Sequence, residues 1–253
     1  MKGCGAMRLN VGNFNIYIAK DYDEMSKIGA GIMASQVLLK PNSTLGFATG
    51  STPIGMYKEL IRLHKEGILD FSDVTTYNLD EYYPIKRSND QSYFYFMHEN
   101  LFNHINLKSS NINVPNGEVA DIQNECDIYE KKLRESGIDM QLLGIGNNGH
   151  IAFNEPGDAF DDATHVVTLT QSTIEANSRF FNNASEVPTQ AVSMGIGSIM
   201  TAKRLLFLAH GAHKAAAVKE MLYGSITPQM PASAIRMHRK VDIVLTKDIY
   251  ELL

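Results

Sequence analysis

The chain has 253 residues, 44% hydrophobic and 20% charged, an ordinary balance for a globular protein with room for a sizeable core. Its formal net charge of −5 gives no bulk attraction for nucleic acid or an anionic membrane, so an anionic substrate must be met by a few placed cations and backbone N–H groups. No apolar run approaches the roughly 20 residues that span a bilayer, and the two cysteines, Cys4 and Cys126, lack metal-type spacing; no disulfide is expected, and a reducing cytoplasm is the expected setting.

Residues 1–13 lack the apolar core of a signal peptide and read as a poorly ordered lead-in. From residue 14 to 253 the pattern is that of one domain. Phe14–Ala19 is a short strand-like run, and Asp21-Tyr22-Asp23-Glu24 opens a helix that continues through Met25–Leu39 at helical spacing. Thr44–Ala48 predicts a second strand and Pro53–Lys65 a second helix, with Pro53 suited to its first turn. Val74–Asn78 reads as a third strand, followed by an aromatic-rich helix over Ser92–Ile105. Asp121–Ser136 is helical and stops at Gly137, before a strand at Met140–Gly144. His165–Leu169 alternates weakly, and Thr173–Phe181 reads as a helix. Then come a strongly apolar strand at Arg204–Ala209, a helix at Lys214–Leu222 and a last strand at Val241–Leu245. Strands alternating with helices predict an α/β, Rossmann-like parallel sheet with helices on both faces.

Such sheets place ligands beyond the carboxyl ends of their strands, and three strand ends here carry polar groups. Thr49-Gly50-Ser51-Thr52-Pro53 joins a strand to a helix. It fits an anion cradle of hydroxyls, close backbone and a helix N-terminus, and equally an ordinary turn capped by Ser51 or Thr52. It is not a Walker A loop, because no Gly-Lys-Ser/Thr closes it. Asn78-Leu79-Asp80-Glu81-Tyr82 puts two carboxylates just past a strand. Neighbours on an extended chain point to opposite sides, so one of the pair is expected in the crevice, where a desolvated carboxylate suits proton abstraction from carbon.

The third end is Gly144-Ile145-Gly146-Asn147-Asn148-Gly149-His150, with Glu155 five residues after the histidine. It matches the dinucleotide fingerprint in letters, but that motif needs a helix on its last glycine. His150–Gly157, with Asn154, Pro156 and Gly157, is a poor helix. Metal ligation by His150 and Glu155 lacks a third and fourth ligand at useful spacing. The pair fits acid–base work better, Glu155 orienting the imidazole. Arg179 and Lys214 read, on spacing alone, as surface cations, and the Tyr93–Phe96 cluster as core.

With those segments in view, the chain from about Phe14 to its end resembles the glucosamine-6-phosphate isomerase/deaminase family. The resemblance is carried by Ala48-Thr49-Gly50-Ser51-Thr52-Pro53, Asn78-Leu79-Asp80-Glu81-Tyr82, Gly149-His150-Ile151-Ala152-Phe153-Asn154-Glu155-Pro156 and Asn177-Ser178-Arg179-Phe180-Phe181 in that order. It implies an enzyme that turns glucosamine 6-phosphate and water into fructose 6-phosphate and ammonia, with no metal or organic cofactor. It also implies the roles. Asp80 moves the proton between C2 and C1, and His150 with Glu155 opens the sugar ring. Asn148 stands where allosteric hexameric members have Asp. Thr49, Gly50, Ser51, Thr52, Arg179 and Lys214 hold the 6-phosphate.

His165 and Val167 occupy positions where those hexamers use basic residues for an activator phosphate, and the chain stops soon after its last strand. The resemblance therefore implies weak or no activation by N-acetylglucosamine 6-phosphate and a monomer or small homo-oligomer. The partner is a small-molecule substrate, not nucleic acid or membrane. Two rivals share the scaffold: a 6-phosphogluconolactonase, which does not require the Asp80-Glu81-Tyr82 arrangement, and a sugar-phosphate sensor, which would carry a helix-turn-helix before Phe14.

Overall fold

The computed structural model describes residues 7–171, 174, 183 and 186–253. The chain opens on a hairpin, β1 (Met7–Val11) and β2 (Phe14–Ala19). It continues through α1 (Tyr22–Leu39), β3 (Thr44–Phe47), α2 (Ile54–Lys65), β4 (Thr75–Asn78) and β5 (Asp80–Tyr83). Next come α3 (Tyr93–Asn100), β6 (Ile112–Asn113), α4 (Ile122–Ser136), β7 (Met140–Leu143), β8 (His165–Thr168) and β9 (Gln190–Ser193). The chain then runs through α5 (Ile196–Ile199), β10 (Leu205–Ala209), α6 (Ala215–Tyr223), β11 (Val241–Thr246) and α7 (Lys247–Tyr250).

Eight strands form one sheet in the order β1-β2-β11-β10-β7-β3-β4-β6. Every pairing is parallel except the β1–β2 hairpin. β3, β7, β10 and β11 are buried at every residue, as expected for parallel strands covered on both faces. The helices begin where short polar side chains satisfy the first free N–H groups: Asp21 accepts from Glu24, Ser92 from Tyr95 and Asp121 from Asn124. The α/β class and parallel sheet predicted from the alternating pattern are what the structure shows.

Three features differ from the sequence reading. Part of the expected lead-in, Met7–Val11, is an antiparallel edge strand registered Met7 to Ile18 and Val11 to Phe14. Gly12, at φ +59°, makes the tight turn with Asn13 that folds this segment back. The aromatic helix is shorter than Ser92–Ile105: it ends at Asn100, and a single 3₁₀ turn, Phe102–His104, comes after it. Lys214 closes a 3₁₀ turn, Ala212–Lys214, and serves as N-cap of α6 instead of opening that helix itself. The helix expected over Thr173–Phe181 lies outside the described residues apart from Ile174.

The largest unforeseen element is a second sheet, antiparallel, in the order β5-β9-β8. It grows directly out of the first. Leu79, buried between β4 and β5, donates its N–H to Phe47 of the main sheet and accepts from Met194 next to the small one. Asp80 therefore sits at the hinge between two sheets, paired across to Ser193. A compact second core of Tyr82, Ile85, Phe153, Val167, Leu169 and Ala191 packs the small sheet.

Candidate active site

The chain passes from β3 outward to β4 on one side, while β7 and β10 lie on the other. That reversal of direction opens a crevice at the carboxyl ends of β3 and β7. Four segments surround it: Thr49–Thr52 after β3, Leu79 with the start of β5 after β4, residues 144–157 after β7, and His210–Lys214 after β10.

The turn after β3 is not capped in the ordinary way. The N-cap of α2 is Pro53, and no side chain caps the helix, so neither Ser51 nor Thr52 plays that part. Gly50, at φ +96°, is exposed with open space on its Cβ side. Instead, Tyr22 of α1 clips the turn: its hydroxyl donates to the Ser51 carbonyl at 2.9 Å and accepts from the Gly55 N–H at 2.8 Å. The hydroxyls of Thr49, Ser51 and Thr52 are left beside a helix N-terminus, an arrangement that favours an anion.

The two carboxylates after β4 part company, as the extended backbone demands. Glu81 turns toward the start of α3, where it accepts N–H bonds from Tyr82 at 2.9 Å, Tyr93 at 2.8 Å and Phe94 at 2.9 Å. Burial pushes its pKa up to about 7, opposed by those donors. Glu81 fastens α3 to β5 and is used up structurally. Asp80 is the other kind of carboxylate: 7% exposed, with no hydrogen bond from a described residue. Burial first, and then the adjacent Glu81 charge, push its pKa up to about 8. Tyr57, Tyr82, Tyr93 and Tyr129 all feel its charge.

The loop after β7 folds around one glycine. The Gly146 N–H bonds to the His150 carbonyl at 2.9 Å, and the imidazole lies directly over Gly146, so that a Cβ there would meet ring atoms at 2.2 to 2.4 Å. No helix starts on Gly149, which removes the dinucleotide reading. Nδ1 of His150 is buried, has no hydrogen-bond partner among the described residues, and lies 3.6 Å from Oε1 of Glu155. Asn148 ties Glu155 to the main chain of His150: its amide donates to Glu155 Oε2 at 2.6 Å while its oxygen accepts the His150 backbone N–H at 3.2 Å. An uncharged amide therefore holds Glu155 in place where a second carboxylate would repel it.

The Asp80 strand and the His150 loop are knitted together by the end of β9. Ser193 pairs with Asp80 in the small sheet, and its hydroxyl accepts the Phe153 N–H at 3.1 Å. The buried Asn154 donates to Ile151 at 2.9 Å and to Met194 at 2.8 Å, and Met194 in turn donates to Leu79 at 2.7 Å. Lys214 completes the circle by donating to the Ile145 carbonyl at 2.6 Å. The structure thus brings Thr49–Thr52, Asp80, Asn148, His150, Glu155 and Lys214 to one edge of the sheet, while Arg179 lies outside the described residues. Sequence reasoning missed Tyr22, Ser193 and Asn154, whose roles depend on contacts 29 to 40 residues away. Among the described residues no group of His, Cys, Asp and Glu is placed to hold a metal ion.

An α/β sheet with a carboxylate, an imidazole and a hydroxyl-bearing turn gathered at its switch point has the architecture of a small-molecule enzyme. The chain belongs to the family of glucosamine-6-phosphate isomerases and 6-phosphogluconolactonases, whose model matches residues 31–244. It is 54% identical over 231 residues to the glucosamine-6-phosphate deaminase of Clostridioides difficile strain 630, covering 91% of this chain and 93% of the relative. The Clostridium novyi strain NT deaminase is likewise 54% identical, over 90% of this chain and 95% of its own length. Among solved structures, a monomeric glucosamine-6-phosphate deaminase superposes with a TM-score of 0.92 at 43% identity, over 94% of this chain and 99% of that one. A 6-phosphogluconolactonase from Thermotoga maritima shares the fold, with a TM-score of 0.73 at 23% identity over 92% of this chain.

Proposed function

We propose that this chain is a glucosamine-6-phosphate deaminase, converting glucosamine 6-phosphate and water to fructose 6-phosphate and ammonia. The observation that carries the reading is the buried carboxylate of Asp80, without a hydrogen bond from a described residue, at the hinge of two sheets and joined through Ser193 to the loop that bears His150 and Glu155. The extent of identity to named deaminases, across nine-tenths of both chains, favours it over a lactonase.

In this reading the Thr49–Thr52 turn, Lys214 and Arg179 hold the 6-phosphate. His150, held beside Glu155 by Asn148, moves the proton from the C1 hydroxyl to the ring oxygen and opens the sugar. Asp80 then takes the C2 proton, leaving an enolamine, and returns it to C1, which gives an imine at C2. Water adds there, and ammonia departs as the ketone forms. The raised pKa of Asp80 suits a base that must carry a proton between two carbons. A cationic amino group arriving at C2 draws that carboxyl back to its ionised form. Ammonia release from glucosamine 6-phosphate, set beside unphosphorylated glucosamine, tests the reading. Equal rates on both sugars, or none on either, would end it.

The phosphate site and the missing basic positions at His165 and Val167 each carry a prediction. Lys214→Met raises KM for glucosamine 6-phosphate by about tenfold with little change in kcat, the mark of an interaction made equally in ground and transition states; the same split is expected for Arg179→Ala. Initial rates against substrate trace a hyperbola, unchanged by N-acetylglucosamine 6-phosphate, from a monomer or small oligomer acting in the cytoplasm. Sigmoidal kinetics straightened by that compound would contradict this.

A further inference from the structure

β10 delivers its next residue, His210, to the same edge of the sheet as the Thr49–Thr52 turn. The half-buried imidazole packs edge-on against Tyr22, with ring centroids 4.8 Å apart at 63°. Tyr22 is the side chain that clips the Ser51 carbonyl to the first turn of α2. The ring nitrogens of His210 take no hydrogen bond among the described residues, and the imidazole packs against Tyr22. Its charged and titratable neighbours come from three elements: Tyr22 from α1, His213 and Lys214 from the 3₁₀ turn, and Asp248 from α7. None of this is required by the proton transfers assigned to Asp80 and His150.

We propose that His210 is a further substrate-recognition residue, one that draws a proton from solvent when a phosphate dianion settles between the Thr49–Thr52 turn and Lys214. The inference rests on the phosphate site proposed above. In the free protein burial, then His213 and Lys214, hold the His210 pKa below its ordinary value against the opposing pull of Asp248, so the ring is neutral near pH 7. A dianion beside Lys214 reverses that balance, because it neutralises the cation that repels the imidazolium and adds attraction of its own. Linkage sets the sign. Binding raises the His210 pKa, so the added affinity is full below the free-state pKa and disappears as pH climbs through the bound-state value. Each unit of rise is worth about tenfold in affinity.

The test uses D-glucitol 6-phosphate, which has no carbonyl carbon and cannot isomerise. Its Kd is measured by calorimetry from about pH 5.5 to 8.5, with wild type and His210→Gln side by side, in buffers of different ionisation enthalpy. Wild type is expected to take up more protons than the variant near neutral pH. It should also bind about tenfold more tightly near pH 6, the two affinities converging near pH 8.5. Because the ionisation of the ligand phosphate is common to both proteins, it cancels in the comparison. The titration of the His210 ring followed by NMR in wild type alone should shift upward on adding the ligand, which keeps the proposal open to refutation if the variant folds poorly. Equal proton uptake with an unmoved His210 titration would overturn the role of His210 and leave the phosphate site standing. Wild type binding glucitol as well as glucitol 6-phosphate would overturn both.

Discussion

Asp80→Asn is expected to lower kcat for ammonia release by about a thousandfold, the middle of the range for removing a general base, while Kd for D-glucitol 6-phosphate moves by less than about threefold, since the proposed phosphate cradle is built from other residues. Asparagine fits the same space and keeps the β5–β9 pairing, which is made by backbone atoms. A variant retaining near-normal turnover would show that another group moves the proton. The same substitution has a second, independent signature in stability. Asp80 is buried without a hydrogen-bond partner among the described residues, and its folded pKa is raised to about 8. For an acid with a raised folded pKa, the folded state binds the proton more tightly than the unfolded chain. The carboxyl then costs nothing below its unfolded value near 4, and it destabilises progressively as pH rises to about 8. Asp80→Asn should therefore raise Tm over wild type at pH 8 and leave it nearly unchanged at pH 4.5. A gain of the same size at both pH values would mean that ionisation is not what burial penalises.

How much of the fold and site is legible in the sequence depends on how local each signal is. β7, β10 and β11 announce themselves as short apolar runs because a doubly covered strand must be apolar on both faces. The hinge strand does not. Asp80-Glu81-Tyr82-Tyr83 has the composition of a polar loop, and it is a strand only because Gln190–Ser193, more than a hundred residues on, lies alongside it. β1 is hidden for a similar reason: Met7–Val11 is ordered by β2 across a turn whose sole local mark is Gly12-Asn13.

The site divides the same way. That Asp80 and Glu81 part company is a consequence of strand geometry, and the structure spends Glu81 on the N-terminus of α3. The pairing of His150 with Glu155 is suggested by five-residue spacing in a glycine-rich loop. The part played by Asn148, which donates to Glu155 with one end and accepts from His150 with the other, emerges only in three dimensions. Lys214 carries no distinguishing local pattern and is selected by resemblance alone; the structure sets it against Ile145. His210 is within reach of sequence reasoning, since it is the first residue past the carboxyl end of an apolar strand, the rule that picks out the turn at Thr49 and the carboxylate at Asp80. Tyr22 is not, because its hydroxyl matters only through a turn 29 residues away.

Gly146→Ala should be strongly damaging to catalysis although it adds a single methyl group. The His150 imidazole lies over Gly146 so closely that an added Cβ would stand 2.2 Å from Cε1, 2.3 Å from Nε2 and 2.4 Å from Nδ1. The backbone at Gly146 has no positive φ, so alanine is conformationally acceptable there and the closest conflict is with the ring. The loop cannot easily give way. The Gly146 N–H holds the His150 carbonyl, the Gly149 carbonyl accepts from Ala232, and Asn154 is anchored to Met194. The part-exposed ring is the one component free to swing aside, which carries Nδ1 away from Glu155 and the imidazole out of line with the sugar. Displacing a catalytic group by about 1 Å costs on the order of a hundredfold, and kcat/KM should fall by at least that much. Tm should fall by only a few degrees, because the cost is a ring displaced toward solvent and not a broken core. The proposed phosphate cradle lies on other loops, so Kd for D-glucitol 6-phosphate should hold. An alanine variant that is folded, binds the phosphorylated polyol and turns over at the wild-type rate would mean that the ring position seen here is not the one in which His150 works.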